Sequence, residues 1–441
     1  MSDPVAEAGC AAEGVARAAP RAAEVRDPSR LPRSPRGAPE LTALPRPLRL
    51  VHVTTVPESL FFLRGQPRYL RQRGFEVTAV SSPGESLERF RRDEEVCAHA
   101  VPMARAITPA RDLVALARLT DLLRRLRPDI VDAHTPKGGL LGMLAARLAG
   151  VPVRIYHLHG LRYLTARGLS RRVLRLTERL SAALATRVLC VSRSVADVAA
   201  AEGVVPAGKL GVLLGGSING VDAANRFVPP TPAEAASARA ALGIPAGAPV
   251  LGFVGRLVRE KGIVELWRAW SSLREELPEL RLVLVGPLEP PDPLPREVQA
   301  GLEGDARVLM AGLRWDTPRY FRALDVLALP SYREGFPVVP LEAAAMGLPV
   351  VATRVPGCVD AIVDGVTGTL VPPRDPAALA SALRAYLADP ELRRRHGAAA
   401  RARVLRDFDQ ERIWSALHLE YLEQAAQAGR IPLAPAGDQG T

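Results

Sequence analysis

Val250–Ile263 reads VLGFVGRLVREKGI, and this stretch contains one complete unit of the fold. The apolar, β-rich run Val250–Val254 predicts a buried strand that ends at Gly255. A short polar loop follows, and helical spacing starts at Ile263 and continues to Glu276. Downstream the unit repeats, with strands expected at Arg281–Val285, Val308–Ala311, Val326–Leu329 and Val350–Ala352, and helices at Thr317–Leu324 and Pro340–Met346. Upstream a similar series runs through strands at Leu48–Thr54, Phe75–Val80, Ile130–Ala133, Val153–His157 and Arg187–Val191. Its helices are expected at Phe61–Gln72, Arg111–Leu126, Leu140–Leu148 and Ser170–Ala185. Strands alternating with helices of this length imply an α/β fold with parallel, doubly wound sheets. Two such series predict two Rossmann-like domains facing across a cleft. The expected divisions are a disordered Ala/Pro/Arg-rich tail at 1–46, domains at 47–220 and 221–408, a helix crossing back at 409–428, and a tail at 429–441. Gly215–Pro232 reads as the hinge.

The chain has 441 residues, enough for two cores, and 48% of them are hydrophobic. No run is long enough for a membrane span, and the N-terminus lacks the apolar core of a signal peptide, so a cytoplasmic location is expected. Cys10, Cys97, Cys190 and Cys358 are scattered, without the paired spacing of zinc or redox sites. The net charge of +11 favours phosphate in any form. Basic runs are not interleaved with aromatics, so nucleic acid is not an expected partner.

At the carboxyl end of the Val250–Val254 strand, Gly255 permits close backbone approach, while Arg256 and Lys261 supply cations suited to phosphate oxygens. Such strand ends are where open α/β sheets bind ligands. An isolated R-x4-K also suits a plain surface loop. A second element, Ser331–Gly347 (SYREGFPVVPLEAAAMG), places Glu334 in a Gly-Pro turn after a strand. Pro340 suits a first helical position and Gly347 a stop, which puts Glu342 in the first turn. There it would lie at a helix end that seats phosphate, or merely offset the helix dipole.

Glu334 and Glu342 form an E-x7-E pattern with G-F-P directly after the first Glu, downstream of G-R-x4-K-G. In this the chain resembles glycosyltransferase family 4, the retaining GT-B enzymes, over roughly Leu48 to Ala428. The resemblance implies that Arg256 and Lys261 hold the donor diphosphate and that Glu342 binds the ribose hydroxyls. It further implies that Glu334 contacts the donor sugar while Gly335, Phe336 and Pro337 close around it, and that Gly286 and Ala311–Gly312 border the base. His159, in IYHLHG, matches the family position that reaches the sugar near the reaction centre, whereas His157 reads as structural. A nucleotide-sugar donor, UDP-linked, is implied. With no DxD-like acidic pair to bridge the phosphates, no metal is expected.

Thr55, and His134 with Lys137 in DAHTPKGG, are acceptor-side candidates, though a helix-capping turn explains the latter pair equally well. The stretch TTVPESL at 54–60 lacks the paired glycines that many family members carry after the first strand. Together with SSPGE at 81–85, HTPKGG at 134–139 and GGSINGVDAANRF at 215–227, it resembles the capsular-polysaccharide and lipid-linked-oligosaccharide branch. That branch implies a polyprenyl-diphosphate-linked glycan acceptor at the inner membrane surface. Val173, Leu176, Leu180 and Leu184 recur at helical spacing among Arg171, Arg172, Arg175 and Arg179. Such a helix either packs its apolar stripe on the sheet or lies in a membrane interface. Two other readings share the architecture: a UDP-sugar epimerase, and a non-catalytic sugar-nucleotide-binding protein.

Overall fold

The structure, a computed structural model, describes residues 46–432. The tails expected at 1–46 and 429–441 therefore lie mostly outside the described residues, as does Cys10. Arg46 and Arg430, both assigned to those tails, converge on the buried Asp129 carboxylate at 2.7 Å and 3.0 Å.

Seven strands form the first sheet: β1 (Leu48–Val53), β2 (Phe75–Ser81), β3 (Cys97–Ala100), β4 (Ile130–His134), β5 (Val153–Leu158), β6 (Arg187–Cys190) and β7 (Leu210–Val212). Six form the second: β8 (Val250–Val254), β9 (Arg281–Val285), β10 (Val308–Gly312), β11 (Val326–Leu329), β12 (Val350–Thr353) and β13 (Gly368–Val371). The orders are β3-β2-β1-β4-β5-β6-β7 and β10-β9-β8-β11-β12-β13. Every strand pairing within them is parallel. Each order reverses beside its first strand, so carboxyl ends diverge there and open a crevice. The two crevices face one another across the cleft of a GT-B fold.

β3, β7 and β13 were not expected. All three are short edge strands, and β3 and β7 are no more than half-buried, so they lack the long apolar run of a central strand. The single helix expected at Phe61–Gln72 is instead a 3-10 helix, Pro57–Leu63, and an α-helix, Gln66–Arg71. Gly65 divides them at φ +81°, a backbone conformation outside the helix.

The helix Gly168–Leu184 turns Glu178, Ser181 and Ala182 inward. Of the two readings of its apolar stripe, packing on the sheet holds only for Leu184, which lies against the core; Leu176 is 66% exposed and Val173 and Leu180 are exposed as well, as is Leu169 (75%) at the start of the helix. Beside Leu174 and Leu184, the inward face holds Glu178, whose carboxylate accepts from the Tyr156 hydroxyl at 2.6 Å. The last helix, Gln410–Gln427, lies on the first sheet. There Tyr421 donates to Asp132 at 2.5 Å and Arg187 pairs with Glu420.

Candidate functional site

Gly255 follows β8 and leads into Arg256, whose guanidinium meets the Glu289 carboxylate at 2.9 Å. Arg105, from the first domain, reaches the same carboxylate at 3.3 Å. Burial works against charge on Glu289, but the hydrogen bond from Arg256 and the two guanidinium charges outweigh it and hold the carboxyl below its ordinary range. Gly286 donates to the Gly312 carbonyl at 2.9 Å, so Gly255, Gly286 and Gly312 line up along adjacent strand ends.

The loop after Arg256 makes a 3-10 turn, Arg259–Lys261, and stops at Gly262 with φ +73°. A Cβ at Gly262 would fall 2.0 Å from the Pro330 carbonyl oxygen. This close approach brings Lys261 beside the loop that follows β11, where its ammonium binds Glu334 at 2.5 Å. Neither partner is more than one-fifth exposed.

Glu342 departs from expectation. The helix spans Val338–Ala345 with Pro337 as its N-cap, so Pro340 stands third and Glu342 fifth, outside the first turn. Proline is tolerated at any of the first positions because their N–H groups have no intrahelical partner, which is why Pro340 did not mark the start. The half-buried Glu342 carboxyl is pushed up to about 7 by burial, against a weak pull from Arg226.

Across the cleft, His159 follows β5. Its Nε2 lies 3.2 Å from His134 Nδ1, and His134 Nε2 lies 3.1 Å from His52 Nδ1. His157 Nδ1 sits 2.9 Å from both oxygens of Asp132. Burial lowers His52 to about 4 and His159 to about 3, and takes His134 well below the usual imidazole range, against the raising influence of Asp132. All three rings are therefore neutral at pH 7. His134 is only 2% exposed, so it supports the site from behind instead of lining the acceptor side. Thr55, also buried, shares a hydrogen bond with Thr135 at 3.1 Å. Lys137 pairs with Asp112 at 2.5 Å. The structure does not bring these three candidates onto one open surface.

The two sides touch at Gly335. A Cβ there would fall 1.9 Å from the His159 carbonyl oxygen, and the Ser192 hydroxyl donates to the Gly335 carbonyl at 2.7 Å. Phe336 packs on Phe408, with ring centroids 5.4 Å apart, behind this contact. A hollow of about 890 Å³ opens next to the site, rimmed by Thr165 of the first domain and by Arg259, Glu260, Tyr332 and Arg374 of the second.

Sequence reasoning missed Glu289, Arg105, Ser192, His52 and Asp132. Asp132 gave one signal, a carboxylate among the apolar Ile130, Val131 and Ala133 of the strand IVDAH. Arg105 and Glu289 sit on loops far apart in the chain, and nothing in their spacing announces that they meet.

Residues 235–403 match the family described as Glycosyl transferases group 1, and residues 62–216 match the Glycosyl transferase 4-like domain. A Staphylococcus aureus protein, the capsular polysaccharide biosynthesis glycosyltransferase CapM, is 31% identical over 85% of this chain and 96% of its own length. The Escherichia coli UDP-Gal:alpha-D-GlcNAc-diphosphoundecaprenol alpha-1,3-galactosyltransferase is 31% identical over 70% of this chain and 80% of its own. Among solved structures, Anabaena HepE in complex with UDP and glucose superposes with a TM-score of 0.70 at 21% identity, covering 85% of this chain and 99% of that one. Sucrose-phosphate synthase from Thermosynechococcus elongatus gives 0.71 at 24% identity, covering 87% and 100%.

Proposed function

Because the chain belongs to glycosyltransferase family 4, we propose that it moves a hexose or N-acetylhexosamine, with retention, from a UDP-sugar to a polyprenyl-diphosphate-linked glycan in surface polysaccharide synthesis. One observation carries the donor side. Two cations at adjacent points of the second sheet's edge, Arg256 and Lys261, each hold a carboxylate that a diphosphate and its sugar could displace. The acceptor side rests on the capsular and lipid-linked relatives and on the exposed Leu169–Leu180 stripe, which is flanked by arginines.

In this reading the donor diphosphate lies across Arg256 and Lys261, the uridine ribose meets Glu342, and Gly255, Gly286 and Gly312 border the base. The sugar sits between Glu334 and His159, closed over by Gly335, Phe336 and Pro337. As the C1–O bond to the diphosphate breaks, its electrons pass to the phosphate oxygens. Two fixed cations stabilise that developing charge most where it is greatest, which accelerates the step. The acceptor oxygen bonds to C1 from the same face, and its proton goes to a donor phosphate oxygen, so retention needs no covalent enzyme intermediate. Glu334 then orients the sugar and is not a nucleophile of the kind retaining hydrolases use.

The reading includes no metal at the diphosphate. Among the described residues, the group with metal-ligand spacing is His52, Asp132 and His134, and it is buried behind His159. No helix among the described residues is long and apolar enough to cross a membrane. Contact with the membrane would therefore be peripheral, with Leu169, Val173, Leu176 and Leu180 entering the interface and the arginines meeting anionic headgroups.

The test is to incubate the protein with a panel of UDP-sugars and a membrane lipid extract and to score UDP release. Release with one donor that depends on the lipid fraction is the expected result. A changed sugar nucleotide in the absence of any acceptor would replace transfer by epimerisation.

A further inference from the structure

Three imidazoles, His52, His134 and His159, form one hydrogen-bonded chain from the core of the first domain to the cleft. A neutral imidazole has one donating and one accepting nitrogen, so such a chain has only two polarities, and fixing one ring fixes all three. The buried end decides between them. His52 Nε2 is sealed from solvent and has no hydrogen-bond partner among the described residues. In one polarity it would carry an orphaned N–H; in the other it carries only a bare lone pair. Buried orphan N–H groups are the rarer and costlier of the two.

We propose that His52 and His134 are positioning residues that set the tautomer of His159, so that its Nδ1 carries the proton and offers an N–H to the bound sugar. His52 donates from Nδ1 to His134 Nε2, and His134 donates from Nδ1 to His159 Nε2. Nδ1 of His159 is then the nitrogen left for a ligand, and it presents a donor instead of a base. Asp132 does not claim the shared proton. Its oxygen lies 3.6 Å from His134 Nε2, beyond hydrogen-bond range, and the carboxylate is already engaged by His157 and by the Tyr421 hydroxyl.

The role in transfer rests on the reading of His159 as the residue facing the sugar, but the tautomer itself does not. Nitrogen-15 histidine NMR of the ligand-free protein should show His159 with Nδ1 protonated and Nε2 bare. In His52→Phe the leading donor is gone and Asp132, 3.6 Å from His134 Nε2, becomes the nearest acceptor for a proton on that nitrogen, so the His159 signals should shift toward the other tautomer. His52→Asn, whose amide N–H takes the place of Nδ1–H, should restore the wild-type pattern. Transfer assays should show kcat about tenfold lower in His52→Phe, with donor KM unchanged and kcat recovered in His52→Asn. A wild-type His159 protonated on Nε2, or a tautomer unmoved by His52→Phe, overturns the proposal. So does one equivalent of metal in the purified protein by elemental analysis. If His52→Phe does not fold, the wild-type spectrum decides alone. A wild-type protein that transfers no sugar but shows the expected spectrum sinks the function and leaves the tautomer standing.

Discussion

At the edge of the second sheet the polar groups are formal charges in pairs, Arg256 against Glu289 and Lys261 against Glu334. At the edge of the first they are neutral imidazoles joined nitrogen to nitrogen, with His52 and His134 buried behind a partly exposed His159. The contrast follows from what each edge would meet. A diphosphate is a strong anion, and formal cations whose carboxylate partners it can displace suit it. A sugar is neutral, and neutral donors recognise it without the cost of burying unpaired charge. The two edges join at a backbone contact, Gly335 on His159, that tolerates no side chain.

The sharpest way to break this contrast is to remove charge from one edge. Lys261→Ala and Arg256→Ala should each lower kcat/KM by about a thousandfold or more, because each deletes a charge-assisted contact where charge develops in the reaction. Steady-state UDP release measures it, and activity within a few-fold of wild type would end the assignment. Gly335→Ala attacks the join instead. Its Cβ would overlap the His159 carbonyl, so we expect about a hundredfold loss of kcat while circular dichroism remains native.

Membrane contact is tested on a face remote from both edges. Leu176→Asp with Leu169→Asp should cut binding to anionic vesicles at low salt by about tenfold or more, since two buried apolar contacts are replaced by charges that anionic lipid repels. Co-sedimentation reads it, and unchanged binding would move the membrane surface elsewhere.

The smallest effect is a pH dependence. Glu342 titrates near 7 in the folded chain, so its carboxylate form grows as pH rises through that value and, in the proposed reading, accepts ribose hydroxyls more strongly. Donor KM should fall a few-fold from pH 6 to 8, and Glu342→Gln should flatten the profile. The sign for stability is opposite. Between 4.5 and about 7 the folded chain holds the proton that the unfolded chain has lost, so this group's contribution to ligand-free stability declines as pH rises. Thermal melts of Glu342→Gln should show a shallower decline over that window.

Much of this was legible in the linear chain, for reasons that are local. Buried parallel strands must be apolar and short, so β1, β2, β4, β5, β6, β8, β9, β11 and β12 announced themselves, as did the edge strand β10 through its apolar run, while the short edge strands β3, β7 and β13 did not. Arg256, Lys261 and Glu334 follow strand ends closely, and spacing along the chain translates directly into place. The start of the Val338–Ala345 helix was misread because two prolines, Pro337 and Pro340, both suit a helix beginning, and only backbone geometry separates them.

The sequence by itself determined the two-sheet fold and the charged edge, since both depend on residues within one strand-loop-helix unit. Tertiary structure alone decided the rest. A period of helical spacing says that one face is apolar but not which way it turns, and in the folded chain Glu178, Ser181 and Ala182 face inward while Val173, Leu176 and Leu180 face out. Nor does any spacing connect His52 to His134 or Gly335 to His159. Strand order in a parallel sheet, and the closing of one domain against another, set those neighbours.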